Sequence, residues 1–577
     1  MPQTVHYEIF SRQGSKGGWK MLDIRNEREG AIEFAQSQMA DGKATGVKVM
    51  KETYNEDSGD FLSLKIFEDG HNQVKTQPAQ EDVPHALPCF KPEDLYSYHA
   101  RATMMRLIPE FLSRNKVTIT ELCHRADMLE KLEATGTLLQ HAIQKIAVAQ
   151  AASTTTPVAT IIKSLNELTT KAFNRVYRDN RAKYFPDVAK DGFGKLATKL
   201  ASQADGLYVL NGAIARKLRE AKGWDEKVLL LLSIMGEAPA EGPGRTLLLG
   251  AIDSLLAEVL SGSAALHELI GDSENLGQAL MSLVLLFLGQ EPAGMGERAG
   301  LIALTQHFAA DDLPEARTAI ANRILAEFKS CKRLNPQALD EEFKALRRIA
   351  NRVVMGVGKY LSHDDLVGAF TLRSKRLVTF ETLGEHLADA AGPDEKLERL
   401  LFVEENIIGT ENKRQLATFV MPILTAASFE TYFATGKQPV LARLQRLAQL
   451  QSRVRRSGFQ ENQRQEMADI LDRLAFGLEA RAKILETIDA KPGSAVDKAT
   501  MILKLCMGGI LTEGRLSRRA RDLVLGYLGR PGFFTGFVAR PTPAGLARDA
   551  DSAMADLMDM LGKAGISAET GLKSIAA

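Results

Sequence analysis

Residues 394–411, DEKLERLLFVEENIIGTE, recur in outline 102 residues later as VDKATMILKLCMGGILTE, residues 496–513. Lys396 meets Lys498, Leu400-Leu401 meets Ile502-Leu503, and Ile408-Gly409-Thr410-Glu411 meets Ile510-Leu511-Thr512-Glu513. Within each copy apolar residues fall three or four apart, which places them on one side of an α-helix, and each run ends near glycine, which adopts helix-terminating conformations at low cost. At an offset of 104, Val420, Leu424, Phe429 and Phe433 meet Val524, Leu528, Phe533 and Phe537. An earlier copy, Leu276 to Gly289, matches Lys396 to Gly409 at an offset of 120. Any two Leu-rich helices share apolar positions; the agreement of the turn residues is what argues for duplication.

Outward from this repeat, the C-terminal half divides into three helical units, 245–364, 365–469 and 470–577, the last divergent or truncated. Each is longer than a helical-pair repeat and reads as a mini-bundle, so that the units stack in an α-solenoid-like array. Residues 93–240 read as a helical bundle. Pro92 opens its first helix with Glu93-Asp94 at the positive end of the dipole, and Thr118 with Glu121 has capping-box spacing. Pro157 and Pro186 break it, and Glu237 to Gly244 bounds it.

The first seventy residues have a different texture. Val5, Tyr7 and Ile9 alternate with polar neighbours, and Trp19 to Ile24 follows a glycine-rich turn at 14–18, which reads as a hairpin. Asn26 and Glu29 have capping-box spacing before a helix with Ala31, Ile32, Ala35 and Met39 on its apolar face. Thr45 to Tyr54 and Phe61 to Phe67 read as strands around a turn at 55–59. The order is ββαββ, so residues 1–70 form a small α+β module, residues 71–92 with Pro78, Pro84, Pro88 and Pro92 form a linker, and everything beyond is all-α.

With 577 residues, 45% hydrophobic and 25% charged, the chain can bury large cores, which excludes wholesale disorder. A net charge of +1 leaves no global field to draw it onto nucleic acid or an anionic membrane. Four scattered cysteines, Cys89, Cys123, Cys331 and Cys506, form no disulfide framework. There is no basic n-region at the start and no apolar run of about 20 residues, which points to a cytoplasmic chain without a transmembrane segment. The Ala-, Leu- and Arg-rich composition is bacterial in style.

Phosphate loops, H-E-x-x-H, G-x-S-x-G and EF-hand signatures do not occur in the sequence. Gly242-Pro243-Gly244-Arg245 reads as an interdomain turn and helix start rather than an anion site. Cys123, His124 and His141 do not make up a zinc ligand set, and Cys123-His124 reads as a core cysteine beside a surface histidine. Glu404-Glu405 point in different directions on a helix, and Asp311-Asp312 before Pro314 reads as a helix start. No metal or cofactor is expected. Three arginine groups remain: Arg175, Arg178 and Arg181; Arg443 and Arg446 with Arg453, Arg455 and Arg456; and Arg515, Arg518 and Arg519 with Arg521. Without interleaved aromatic residues to stack bases, they suit an acidic stretch on a protein partner better than nucleic acid.

These features favour a non-enzymatic scaffold or adaptor that binds unidentified partner proteins in helical grooves, with the arginines setting register. Two alternatives stand beside it. The N-terminal module senses a small ligand or docks a partner, for which an aromatic cleft around Trp19, Tyr7 and Tyr54 would be evidence; or the chain is an enzyme with an unfamiliar site between helices.

Overall fold

The computed structural model describes residues 5–13, 19–54, 61–70, 86–188, 192–292, 296, 298–540 and 549–567, of which 53, 54 and 61–65 are described as backbone. The turns read at 14–18 and 55–59, the linker from 71 to 85, and residues 541–548 and 568–577 of the third helical unit lie outside the described residues. The chain forms two compact units, Met1–Leu87 with Lys145–Ile161, and Pro88–Gln144 with Ile162–Ala577.

In the first unit, β1 (Val5–Arg12), β2 (Lys20–Arg25), α1 (Arg28–Ala40), β3 (Gly46–Tyr54) and β4 (Phe61–Gly70) follow in the expected ββαββ order. The antiparallel sheet runs β2-β1-β3-β4. Ile9 pairs with Val49, and with Val47 these side chains are fully buried against Ala31 and Ala35 of α1, whose small size lets the helix lie close to the sheet. The helix starts later than the Asn26/Glu29 spacing implies: Glu27 is its N-cap and makes no side-chain cap bond. Lys145–Ile161 belongs to this unit although it lies within the stretch read as bundle, and Gln150 Nε2 donates to the Ala86 carbonyl at 3.1 Å.

The second unit is helical throughout its described residues. The helix expected from Pro92 is interrupted twice, giving a 3-10 turn over Pro92–Tyr96, α2 (Tyr98–Leu107) and α3 (Pro109–Asn115). Ser97 is extended and caps α2 through its Oγ, and Pro109 lacks the N–H that would continue the ladder. The Thr118/Glu121 capping box forms in both directions, at 3.1 and 3.0 Å, and opens α4 (Ile119–Leu122). Next come α5 (Ala126–Ala134), α6 (Leu138–Ala152) and α7 (Val158–Arg181), whose stretch from Lys145 to Ile161 belongs to the first unit, and then α8 (Gly192–Leu200), α9 (Gly206–Lys217) and α10 (Trp224–Gly236).

Three successions follow. The first is α11 (Pro243–Ser261), α12 (Ser263–Ile270), α13 (Leu276–Phe287), α14 (Ala299–Ala310), α15 (Pro314–Lys329) and α16 (Leu339–Val353). The second is α17 (His363–Leu377), α18 (Phe380–Leu387), α19 (Pro393–Asn406), α20 (Thr410–Thr425), α21 (Ala427–Thr435) and α22 (Val440–Arg456). The third is α23 (Glu461–Ala482), α24 (Ile484–Ala490), α25 (Ala495–Met507), α26 (Arg515–Leu528), α27 (Phe533–Val538) and α28 (Ala550–Lys563). In each, a helix of 15 to 22 residues breaks into one of 7 or 8. The short helices α21 and α27 each bury a phenylalanine pair, Phe429/Phe433 at 5.2 Å and Phe533/Phe537 at 6.5 Å between ring centres. One apolar cluster runs from Phe185 to Ile566 across the positions near 245, 365 and 470; a second spans Ile108 to Val176, so residues 93–240 contribute to both.

Several helices here start on a residue that makes no side-chain cap, and a carboxylate from a different helix takes over. Asp225 of α10 accepts the Gly300 and Leu301 amides of α14 at 3.2 and 2.9 Å. Asp253 of α11 accepts Glu315 and Ala316 of α15 at 2.8 and 2.9 Å, and Asp472 of α23 accepts Arg515 of α26 at 2.6 Å. Asp253 and Asp472 are buried and Asp225 is half-buried, and each carboxylate meets the positive end of a helix, which compensates its desolvation. The start of α15 therefore depends on Asp253; Asp311 is instead the left-handed C-cap of α14, at φ 58°, which corrects the reading of Asp311-Asp312 as a helix start.

Candidate functional site

The arginine groups divide by what holds them. On α7, Arg175 is turned inward: its guanidinium lies 4.0 Å from the Tyr208 ring centre and donates to Glu93 at 2.9 Å. Arg178 is bound to Asp179 at 2.9 Å, and Arg181 is exposed with no side-chain partner among the described residues. On α22, Arg443 donates to the Phe433 and Ala434 carbonyls at the end of α21. Arg446 pairs with Asp394 and Glu398, and Arg453 with Glu398 and Glu405, so these two join α22 to α19. Arg519 is held by Glu479 and Glu486, and Arg521 by Glu513, whereas Arg515 and Arg518 are exposed and their guanidinium groups have no partner among the described residues. Arg455 and Arg456 donate to the Glu513 and Ser452 carbonyls at 3.0 and 3.2 Å, so of the twelve arginines in the three groups Arg181, Arg515 and Arg518 are the ones open to an external anion.

The inward turn of Arg175 marks a polar and aromatic cluster. His124, on the turn after α4, is 3% exposed and is surrounded by Tyr208, Tyr96 and Phe185 at ring-centre distances of 4.7, 5.5 and 5.8 Å. This corrects its reading as a surface histidine; the helix preceding it spans only four residues, too short for periodicity to assign a face. Its Nδ1 lies 2.6 Å from the Thr120 carbonyl, so Nδ1 carries the proton, while Nε2 has no partner. Burial in this apolar box, reinforced by Arg175 and Arg101, lowers its pKa to about 4. Tyr208 donates to Asp179 at 3.0 Å, and burial raises its pKa. Next door, burial pushes the Cys123 thiol up to about 12, which keeps it protonated and unreactive.

Around α4, two ionic clusters fasten that helix to its neighbours. Glu258 of α11 accepts the Thr120 amide at 2.9 Å, the Thr120 hydroxyl at 2.7 Å and the Arg101 guanidinium. Lys227 of α10 donates to both oxygens of Glu121 at 2.7 and 2.6 Å, and burial lowers the lysine's pKa despite that pairing. The remaining sequence candidates are structural. Glu404 is buried and accepts Lys413 and the Gly458 amide, while Glu405 faces Arg453, so the two carboxylates diverge as their adjacency requires. Arg245 donates to the Pro239 carbonyl at the start of α11. Among the described residues no group of three or more His, Cys, Asp or Glu could hold a metal ion.

The first unit presents a different surface. The strand period of two turns Phe10 and Lys48 away from α1, and Lys48 Nζ sits 4.8 Å from the Phe10 ring centre and 5.0 Å from that of Trp19. Arg12 stacks on the other part of this patch, 4.9 Å from Trp19. Met21 and Ile24 on β2 are 49% and 51% exposed. Tyr7 packs toward α1, so Tyr7 and Trp19 lie on opposite faces and do not line one cleft; the side chain of Tyr54 lies outside the described residues. The β2 edge beside this face is guarded against strand addition. Leu22 is an extra residue in the β1 pairing, and Asp23 accepts the Ile24 amide at 2.9 Å and pairs with Arg25 at 3.1 Å.

No single helix among the described residues is long and apolar enough to cross a membrane. No family model, curated protein sequence or solved structure matches the chain.

Proposed function

We propose that this chain is a scaffold that holds partner proteins, with its helical body as the frame and the uncovered sheet face of the N-terminal unit as the docking surface. The observation that carries the reading is that face: two half-exposed aliphatic side chains, Met21 and Ile24, beside the rings of Phe10 and Trp19, with Arg12 and Lys48 laid over the rings. Exposed apolar and aromatic area rimmed by cations is the composition of an interface hot spot, and the guarded edge directs a partner to the face rather than to strand addition. Helical-groove recognition through the arginine groups has less support, because most of those side chains bind within the chain. Arg515 and Arg518 remain as a secondary contact for acidic residues.

The test is photo-crosslinking from position 21 of the full chain in its native host, with and without Met21→Asp and Ile24→Asp. The proposal expects a defined set of crosslinked proteins that is at least tenfold depleted by the paired substitution. An unchanged set, or no crosslinked protein at all, overturns it. The same substitutions should leave the unfolding midpoint within about 2 °C of the parent, because changes at exposed positions fall within about 0.5 kcal/mol.

A further inference from the structure

The end of α15, the loop after it and the break between α17 and α18 come together in one patch of the helical unit. Arg376 of α17 donates to the Lys329 and Ser330 carbonyls at 2.6 and 2.7 Å, and Arg373 donates to the Ser330 carbonyl at 3.2 Å. Arg333, farther along the loop, pairs with Glu385 of α18 at 2.8 Å. The first contacts satisfy carbonyls at the C-terminal end of α15, and together they fix segment 329–333 against both later helices.

The charge in this patch is one-sided. Segments 329–333 and 372–382 hold six cations, Lys329, Lys332, Arg333, Arg373, Lys375 and Arg376, against one carboxylate, Glu381. Arg333 is neutralised by Glu385, and Arg373 is buried with Glu342 at 4.0 Å. Lys329, Lys332, Lys375 and Arg376 have no carboxylate partner among the described residues, and the three lysines are exposed. Phe380, the first residue of α18, is 81% exposed, and Leu372, one turn before Arg376, is 39% exposed. The ring is not needed to start its helix, because Thr379 caps α18 through Oγ1.

The composition selects among anionic partners. A single ring is no platform for successive bases of a nucleic acid strand. Arginine forks suit the fixed carboxylates of a protein, but two of the three here are directed at carboxylates within the chain. The outward charges are mainly lysine, a compact charge on a mobile stem that suits a fluid layer of head groups. A protruding phenylalanine flanked by such charges matches the boundary of a bilayer, where rings enter the acyl edge and ammonium groups reach the phosphates.

We propose that this patch is a peripheral contact for an anionic lipid surface, with Phe380 and Leu372 entering the head-group boundary and Lys329, Lys332, Lys375 and Arg376 lying on the lipid charges. The inference goes beyond the scaffold reading and does not use the sheet face.

The test is sedimentation of the full chain with vesicles of phosphatidylcholine containing about 30% phosphatidylserine, and with vesicles of phosphatidylcholine alone. Expected is binding at least tenfold tighter to the anionic vesicles, weakened when salt rises from about 0.1 M to about 0.5 M and the screening length falls by about half. Phe380→Ala should weaken it at least fivefold, and Lys329→Gln, Lys332→Gln and Lys375→Gln together at least tenfold, with the helical circular dichroism unchanged because these positions are exposed. Phe380→Trp should retain binding. Equal binding to both vesicles, none to the anionic ones up to millimolar lipid, loss in Phe380→Trp, or affinity unaltered in folded Phe380→Ala or the folded triple variant would each overturn the proposal. Binding of polyglutamate or polyuridylate at least as tight as that of the anionic vesicles, and lost in the triple variant, would also overturn it by assigning the cations to an acidic protein or a nucleic acid strand.

Discussion

Protonation of His124 is coupled to folding, because the ring is enclosed by aromatic side chains, where a positive charge is poorly solvated. Its pKa in the folded chain, about 4, lies below the ordinary histidine value of about 6.5. Folding therefore favours the neutral ring. That contribution is complete above about pH 6.5 and is lost as pH falls toward 4, by about 3 kcal/mol over the interval. Urea unfolding at pH 7 and at pH 4.5 should show the loss, and His124→Phe should flatten that part of the profile. Asp253 supports a second expectation. Its carboxylate holds the first amides of α15, so Asp253→Ala should cost about 2 kcal/mol and speed hydrogen exchange at Glu315 and Ala316. Burial raises the Asp253 pKa, an unfavourable term that asparagine avoids while keeping one acceptor, so Asp253→Asn should cost less than alanine. Neither residue announced its role in the sequence. The aspartate lies in the middle of an apolar run, and its partners are more than sixty positions away.

At the scale of the element, helix existence was legible from periodicity, and so was the α+β head, because alternation and turn residues agree there with the final sheet. Helix starts were less so. Local rules found the Thr118/Glu121 box, since both partners are near in sequence, but they placed a box at Asn26/Glu29 that does not form. Where the cap comes from another helix, as at α14, α15 and α26, the residue beside the helix start carries no signal. The break before α26 shows the constraint that replaces it. Gly514 has φ 151°, and a Cβ there would lie 2.3 Å from Asp472 Oδ2. Gly514→Ala should push the carboxylate off the α26 amides and cost about 3 kcal/mol, read as a lowered unfolding midpoint and as faster exchange at Arg515.

For the molecule as a whole, the cluster from Phe185 to Ile566 has no apolar gap at the positions where the sequence suggested unit boundaries. Gln451 of α22 reinforces the last of these, donating to the Ala468 carbonyl at 3.0 Å and accepting the Glu513 amide at 2.7 Å. Scanning calorimetry should accordingly show one cooperative transition for the helical unit, and a chain ending at residue 458 should lose that transition because it exposes the face of α22 that α23 covers. The alternation of long and short helices was readable from the turn residues; the shared core was not, since contacts between α22 and α23 join residues that periodicity treats as two separate helices. The borrowed caps also bear on synthesis. Asp225 waits for amides 75 and 76 positions later, Asp253 for partners 62 and 63 later, and Asp472 for one 43 later. A chain stopped within any of those intervals lacks the amides that receive the acid, so the helix carrying it cannot bury that carboxylate in its native place without desolvating an unpaired charge.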